Sequence, residues 1–362
     1  MKQRLIEKLN QWVEHVRSAT PVRQHDQEWI ALKKRRAGGS SAATWLGLNP
    51  YESEIKFINS KVGLDPWKPS VAPQWGNLFE RVICRYVCID RDCEVVGSDI
   101  FLHAITPPME GVCTPSPHIS YSPDGFAVMH GDCVIADGEA VSYDTVLVEF
   151  KCPYRRMPRY EPPAYYVPQV KMGLAVCEIA TRGLLIEGVF RRCPWDMILT
   201  TYYIAPDCGT PREWLGGVPL ARGFIGLYLA ENAEWPSREA FLGEYDIGPN
   251  NDIGQCSNKL FTALMSDIDN KHIETWYSEV RTDCDPRELN ADLELFERHI
   301  GGKTLIGIMP WKLFKVNYHW IEKEDGYMDA LLPRIERAIE TIRLCDGLSD
   351  DAKRMLIDAR HH

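Results

Sequence analysis

The chain has 362 residues, 45% of them hydrophobic and 25% charged, a balance that fits one large globular domain or two ordinary ones and excludes a disordered or fibrous chain. Its net charge of −10 excludes an even coat of nucleic acid, and no apolar run approaches the roughly 20 residues of a membrane-spanning helix. The charge is uneven: residues 1–193 carry 23 Lys and Arg against 22 Asp and Glu, and residues 194–362 carry 18 against 29, so a basic groove would belong to the first half.

Residues 1–10 are charged and amphipathic, without the apolar core of a secretory signal. The 12 cysteines include no C-x-x-C, and the tightest group is Cys84, Cys88 and Cys93. Zinc sites use closer pairs, so these are expected to be reduced thiols in a reducing compartment.

Residues 2–17 predict a helix with Leu5, Leu9, Val13 and Val16 on one face. Residues 26–36 predict a second, anchored by Trp29 and Leu32 and ending in Lys33-Lys34-Arg35-Arg36. Cations suit a helix C-terminus, so by itself this run reads as a solvated cap. Gly38-Gly39-Ser40-Ser41-Ala42-Ala43 follows, a flexible turn into a helix. It offers N–H groups and hydroxyls to an anion, or forms an ordinary N-cap. Residues 74–89 predict a strong helix, striped by Trp75, Phe79, Val82, Ile83 and Tyr86, with Glu80 at the border of the stripe.

Residues 90–150 look β-rich. Segments 119–121 and 126–129 flank the turn Ser122-Pro123-Asp124-Gly125, and a second turn, Ala136-Asp137-Gly138-Glu139, precedes the next strand. Asp before Gly is ordinary turn chemistry, yet it sets Asp124 and Glu149 on neighbouring strands. Val146-Leu147-Val148-Glu149-Phe150-Lys151-Cys152-Pro153 predicts a strand whose period of two puts Val146, Val148 and Phe150 on one face and Leu147, Glu149 and Lys151 on the other. Pro153 ends the pairing. A carboxylate and an ammonium two residues apart near a strand end can hold a metal ion and stand over the water it activates. Exposed strands also carry Glu-x-Lys for solubility alone.

Arg155, Arg156 and Arg159 follow in a Pro-rich connection, and residues 150–192 hold eight basic and three acidic side chains. Pro168 opens a predicted helix to about 180 with Gln169, Met172 and Val176 on one face. Residues 184–190 predict a strand ending in Arg191-Arg192. The stretch 194–300 carries no chemical motif; 225–229 predicts a strand and 258–280 a helix with Leu260, Leu264, Ile268 and Ile273 as its apolar positions. Gly301-Gly302-Lys303-Thr304 mimics the end of a phosphate loop, but Glu297 stands where the leading glycine belongs. Residues 305–321 predict one or two strands. A final helix runs from near Pro333 to about 345, burying Ile335, Ile339, Ile342 and Cys345. The terminal histidines are either native or left from an expression tag.

Five pieces therefore stand in order: Gly38-Gly39-Ser40, Trp75-Gly76-x-x-x-Glu80, Ser122-Pro123-Asp124-Gly125, Glu149-Phe150-Lys151-Cys152-Pro153 and Gln169-Val170-x-Met172. Each is common alone. Together they resemble the λ-exonuclease-like, or YqaJ-type, viral recombinase family of PD-(D/E)XK nucleases, over roughly residues 26–192 with a weaker echo at 305–345. The resemblance implies an α/β (α+β) fold, a restriction-endonuclease-like core with a mixed central sheet flanked by helices. Residues 1–193 would hold every active-site motif, 194–300 would be an insertion of unknown role, and 301–362 would complete the same domain.

The resemblance also assigns roles. Asp124, Glu149 and the carbonyl of Phe150 would bind Mg2+, with Mn2+ as a substitute and two ions per site; Glu80 would hold a water at the metal. Lys151 would orient or deprotonate the attacking water and Gln169 would help position it. Paired Mg2+ ions suit phosphodiester hydrolysis, and they take hard oxygen ligands. A 5′-phosphate pocket is implied at Ser40 and at Lys33, where the family carries an arginine, with Arg35 or Arg36 as alternative forks. Arg155 and Arg156 would contact DNA. The implied activity is a 5′–3′ exodeoxyribonuclease on double-stranded DNA ends, releasing 5′-mononucleotides and leaving 3′ single strands for recombination or viral genome processing. The implied partners are a single-strand annealing protein and further copies of the chain, trimers in some relatives. The implied setting is the cytoplasm or a host nucleus. A DNA endonuclease on the same fold and a non-catalytic DNA-end binder are the alternatives; the intact Asp124, Glu149 and Lys151 argue against the second.

Overall fold

The structure, a computed structural model, describes residues 1–20, 22–24, 26–66, 70–103, 112, 116–130, 142–200, 218–231, 233–235, 237–245, 256, 258–269, 272–283 and 285–361. Helix α1 (Lys2–Ala19) buries Leu9, Trp12, Val13 and Val16, and α2 (Gln27–Lys34), the single turn α3 (Ala42–Trp45) and α4 (Glu54–Lys61) follow. Helix α5 (Val71–Asp90) buries Trp75, Leu78, Phe79, Val82, Ile83, Tyr86 and Val87, the three-and-four spacing of one helical face.

A short pair, β1 (Leu102–His103) and β2 (Ser120–Tyr121), leads into β3 (Gly125–His130) and β4 (Tyr143–Lys151), which are antiparallel with Gly125 opposite Val148. Helix α6 (Val167–Val176) then carries the chain to β5 (Arg182–Arg192), parallel to β4 with Lys151 opposite Glu187. A parallel pair needs such a crossover because a tight turn cannot return the chain to the same end. Next come β6 (Ala221–Leu229), α7 (Arg238–Glu244), α8 (Asn258–Asp269), β7 (Ile273–Tyr277), α9 (Pro286–Ile300), β8 (Leu305–Glu322), α10 (Leu332–Leu344) and α11 (Asp350–His361). The six-stranded sheet has the order β3-β4-β5-β8-β6-β7, mixed as expected, and helices flank it on both faces.

The period of two in β4 divides the core. Val146, Val148 and Phe150 join the α5 layer with Trp75, Phe79 and Ile83, while Leu147 joins the α6 and α10 layer with Val170, Leu174 and Ile339. Glu149 and Lys151 therefore share the face that α6 covers.

Three expectations change. The helix at 258–280 stops at Asp269, and Ile273–Tyr277 is a strand; its β-branched and aromatic residues fit the pleated edge of the sheet. Helix α6 stops at Val176, four residues early, where Cys177 leaves to bridge Val112. Helix α11 was not foreseen, since only Ile357 is buried on it. The turn at 136–139 lies outside the described residues. Residues 305–321 form one long strand, bulged at both of its pairings. The stretch 194–300 supplies β6 and β7 to the same sheet.

Candidate active site

Four of the expected residues converge where β3, β4 and α6 meet. Asp124 sits one residue before β3, and its Oδ2 accepts the backbone N–H of Phe150 at 2.7 Å. This bond ties the turn to the end of β4. Glu149 is 1% exposed, and Lys151 Nζ lies 2.5 Å from its Oε1. The strand repeat alone brings these two together. Gln169, in the first turn of α6, donates its amide N–H to Glu149 Oε1 and accepts from Lys151 Nζ at 3.1 Å.

Tyr121, missed in the sequence, joins the cluster, donating to Glu149 Oε2 at 3.4 Å. Its ring is gripped by two glycines. A Cβ on Gly39 would lie 2.4 Å from Tyr121 Cε2, and one on Gly173 would lie 2.4 Å from Tyr121 Cζ. Only a residue without a side chain permits that approach. The one signal available was Gly173 inside a predicted helix.

Glu80 reaches the same cluster from α5. Its carboxyl is pushed up to about 7, first by burial and then by the charge of Glu149, with Lys151 opposing. Asp124 is pushed well above the usual carboxylate range by burial and by Glu149 and Glu80. Burial works to lower Lys151, but Glu149 and Asp124 override it and hold the ammonium charged. These carboxylates crowd negative charge into a poorly solvated space. Among the described residues no group of three acidic, histidine or cysteine side chains is placed to hold a metal ion; Lys151 and the Phe150 N–H each take one oxygen, of Glu149 and Asp124 respectively. The donor set itself, hard carboxylate oxygens beside a strand-end backbone, suits Mg2+, and a cation there would relieve the mutual repulsion.

The residues expected at a terminal phosphate divide. Lys33 Nζ lies 4.1 Å over the Trp29 ring, and Trp29 Nε1 donates to Ser122 Oγ at 3.1 Å, two residues from Asp124. A Cβ on Gly38 would lie 3.9 Å from both Lys33 Cε and Ser40 Oγ, which puts those two on one side of the turn. Lys33 is thus not part of a solvated cap. Burial lowers its pKa, and it lowers that of Arg36, whose Nε has no hydrogen-bond partner among the described residues. Lys61, absent from the sequence expectations, donates to the Lys33 carbonyl at 2.8 Å; burial and the Lys33 charge push it down to about 8. No sequence spacing linked Lys61 to Lys33, since α4 meets α2 only through the tertiary fold. Arg35 leaves this group and pairs with Asp346 at the surface, so it supplies no fork.

Arg155 lies over Tyr154 at 5.5 Å. Arg156 is anchored to Glu187, which is 0% exposed and also meets His319 Nε2 at 3.2 Å.

The mixed sheet, the acidic turn, the Glu-x-Lys strand end and the helix glutamine are the arrangement that the resemblance to PD-(D/E)XK nucleases implies. Residues 28–180 match the YqaJ-like viral recombinase domain. The chain is 31% identical over 334 residues to a protein of African swine fever virus, isolate Tick/Malawi/Lil 20-1/1983, covering 88% of this chain and 86% of that protein. It is also 31% identical over 222 residues to a protein from the Vero-adapted Badajoz 1971 strain of that virus, covering 56% of this chain and 59% of that protein. Among solved structures, an alkaline exonuclease from Laribacter hongkongensis matches 48% of this chain and 78% of its own, with 19% identity and a TM-score of 0.32. The chain belongs to the YqaJ-like viral recombinase family. Among the described residues no helix is long and apolar enough to cross a membrane.

Proposed function

We propose that this protein is a Mg2+-dependent 5′–3′ exodeoxyribonuclease acting on double-stranded DNA ends. The observation that carries the reading is the junction of Asp124, Glu149, Lys151 and Gln169 in one hydrogen-bonded cluster, with Glu80 beside it. Asp124 and Glu149 would hold the metal, with the Phe150 carbonyl and Glu80 completing the oxygen set. When bound, the ion supplies charge to the scissile phosphate and lowers the pKa of water. Lys151, charged in this setting, orients the attacking water and stabilises charge developing on the phosphate. Gln169 fixes Lys151 and Glu149 relative to each other. Lys33, Ser40, Arg36 and Lys61 would receive a 5′-phosphate, four donors without a competing carboxylate in ion-pair range among the described residues. Arg156, fixed by Glu187, would hold the DNA backbone. The division of the chain is proposed as a core over 1–193 and 301–362, with 194–300 as an addition that widens its sheet. Oligomer formation and a single-strand annealing partner belong to the same proposal.

The test is incubation with linear 5′-phosphorylated duplex, nicked circle and closed circle, each with Mg2+ or EDTA. Mononucleotides from the linear substrate with Mg2+, and nothing from the closed circle, are the expected result. Cuts in the closed circle would make it an endonuclease instead, and intact DNA throughout would leave only an end-binding role.

A further inference from the structure

Helix α5 ends on three cysteines. Cys84 and Cys88 are four residues apart, so they stand one above the other on one side of the helix. The helix stops in a motif that returns the chain over them: the Arg91 N–H donates to the Val87 carbonyl at 2.9 Å, and the Cys93 N–H to the Cys88 carbonyl at 3.2 Å. That closure needs a left-handed residue at position 92. Asp92 adopts it, with φ at 45°, the only non-glycine residue with positive φ among the described residues. Lys2 Nζ holds Asp92 there, donating to its carbonyl at 2.8 Å and to its Oδ2 at 3.2 Å. The motif lays the side chain after the left-handed residue against the residue five earlier, a contact usually made by apolar groups. Here both are cysteines, and the three thiols hydrogen-bond with Cys88 between Cys84 and Cys93.

Cysteines that serve packing alone are buried. Among the described cysteines Cys152, Cys177, Cys193, Cys256 and Cys345 are buried, whereas Cys84, Cys88 and Cys93 are all partly exposed. Cys93 lines a cavity of about 150 Å³ beside α1, with Lys2, Asn10 and Glu94 among its polar walls. Hydrogen bonds from Cys84 and then Cys93, against the cost of burial, hold the Cys88 thiol below its usual range, with the Val95 N–H and the Arg85 charge adding to them. A thiolate beside a second thiol, within reach of solvent, is the arrangement that peroxides oxidise. The turn is also tied to the active site. Val96 exchanges two backbone hydrogen bonds with Phe126, at 2.9 and 2.8 Å, and a Cβ on Gly125, the neighbour of Asp124, would collide with Val95 Cγ1. Glu80 stands one helical turn before Cys84 on α5.

We propose that Cys88 and Cys93 form a disulfide when the protein meets hydrogen peroxide, and that this bond slows cleavage by drawing the 92–96 turn toward α5 and so displacing Asp124 from Glu80. The Cys88 sulfur attacks one peroxide oxygen: the S–O bond forms, the O–O bond breaks, and the released hydroxide leaves with the Cys88 proton as water. Cys93 Sγ then attacks the sulfenic sulfur: the S–S bond forms, the S–O bond breaks, and the hydroxide leaves with the Cys93 proton as a second water. Each sulfur loses one electron and the peroxide gains two. The bond itself is independent of the proposed nuclease activity; its effect on cleavage rests on that reading.

The test uses the full chain, oxidised with hydrogen peroxide in EDTA, blocked with N-ethylmaleimide and digested with trypsin and a glutamate-specific protease. Cuts after Arg81, Arg85, Arg91 and Glu94 put the three thiols on separate peptides, 82–85, 86–91 and 92–94. Peptides 86–91 and 92–94 should be joined, and dithiothreitol should part them. Cleavage of a linear 5′-phosphorylated duplex with Mg2+, measured once the peroxide is removed, should fall at least about tenfold, within the range that a displacement of roughly 1 Å produces, and should recover with dithiothreitol. Cys93→Ser and Cys93→Ala should keep the parent's melting temperature and its cleavage before peroxide, and keep that cleavage afterwards. Unjoined peptides 86–91 and 92–94 after peroxide, an equal loss of cleavage in the parent and the Cys93 variants, or a joined pair with cleavage unchanged each overturn the inference. A reduced parent that cuts no DNA removes the nuclease reading and with it the effect on cleavage, while the peptide map alone decides the bond.

Discussion

Replacing Glu80 by glutamine should stabilise the metal-free protein at alkaline pH while crippling its chemistry. The folded protein moves this carboxyl from the ordinary 4.5 to about 7. A carboxyl raised on folding favours the folded state fully below its unfolded pKa, and that contribution is lost as pH rises through the folded value. The window therefore runs from about 4.5 to about 7. Above it, the ionised group costs at most about 3 kcal/mol, at 1.36 kcal/mol per unit. Relaxation of the surroundings and water penetration reduce this to about 1–2 kcal/mol. Glutamine keeps the shape and removes the charge. Urea unfolding in EDTA at pH 8.5 should then show Glu80→Gln more stable than the parent by that amount, with little difference at pH 4.5. Adding Mg2+ should stabilise the parent more than the variant, closing the gap. A variant equally or less stable than the parent at pH 8.5 would refute the idea that Glu80 belongs to a self-repelling acidic cluster.

Glu149→Ala and Lys151→Ala should each lower cleavage at least about a hundredfold while DNA binding by fluorescence anisotropy stays close to that of the parent; retained cleavage in either contradicts the assigned roles. Lys33→Ala should reduce the preference for 5′-phosphate over 5′-hydroxyl ends, read as the ratio of their degradation rates. In the parent that ratio should fall as pH rises above about 8, because Lys61 loses its proton there; a ratio of one in the parent would remove the phosphate site. Gly173→Ala should destabilise by about 1–3 kcal/mol and slow cleavage, since its methyl group would press on Tyr121 and, through it, on Glu149. A neutral alanine at 173 in both thermal melting and activity would show that the ring has room to move.

The convergence of the central side chains was legible because it rests on short spacings. Two residues of strand place Glu149 beside Lys151, a turn places Asp124 against the Phe150 N–H, and one helical turn carries Gln169 inward. Long-range partners were not legible. Lys61 meets Lys33 across two helices, Glu187 anchors Arg156 from the parallel strand, and Tyr121 enters between two glycines 134 positions apart. Lys33 and Arg36 read as solvent-facing cations because helix-end charge normally is, yet the turn at Gly38 folds back over them. The misread helix at 258–280 has a simple physical origin. Leu260, Leu264 and Ile268 are helically spaced, and Ile273 continues the count by chance, whereas the β-branched and aromatic run that begins there answers to the edge of the sheet.

The sharpest departure from local rules is in β4 itself. Residues 145–150 are all buried, and Leu147 on the α6 face is followed two residues later by Glu149, where a further apolar side chain would pack best. A carboxylate so enclosed is tolerated only with full partnering, and Lys151, Gln169 and Tyr121 together supply it. Each of those partners is in turn over-determined: Lys151 by the strand, Gln169 by the Pro168-led first turn of α6, Tyr121 by glycines on both sides. Three tethered partners, with further carboxylates nearby at Asp124 and Glu80, make sense when the oxygens must keep their positions while protons, cations and phosphates are exchanged around them.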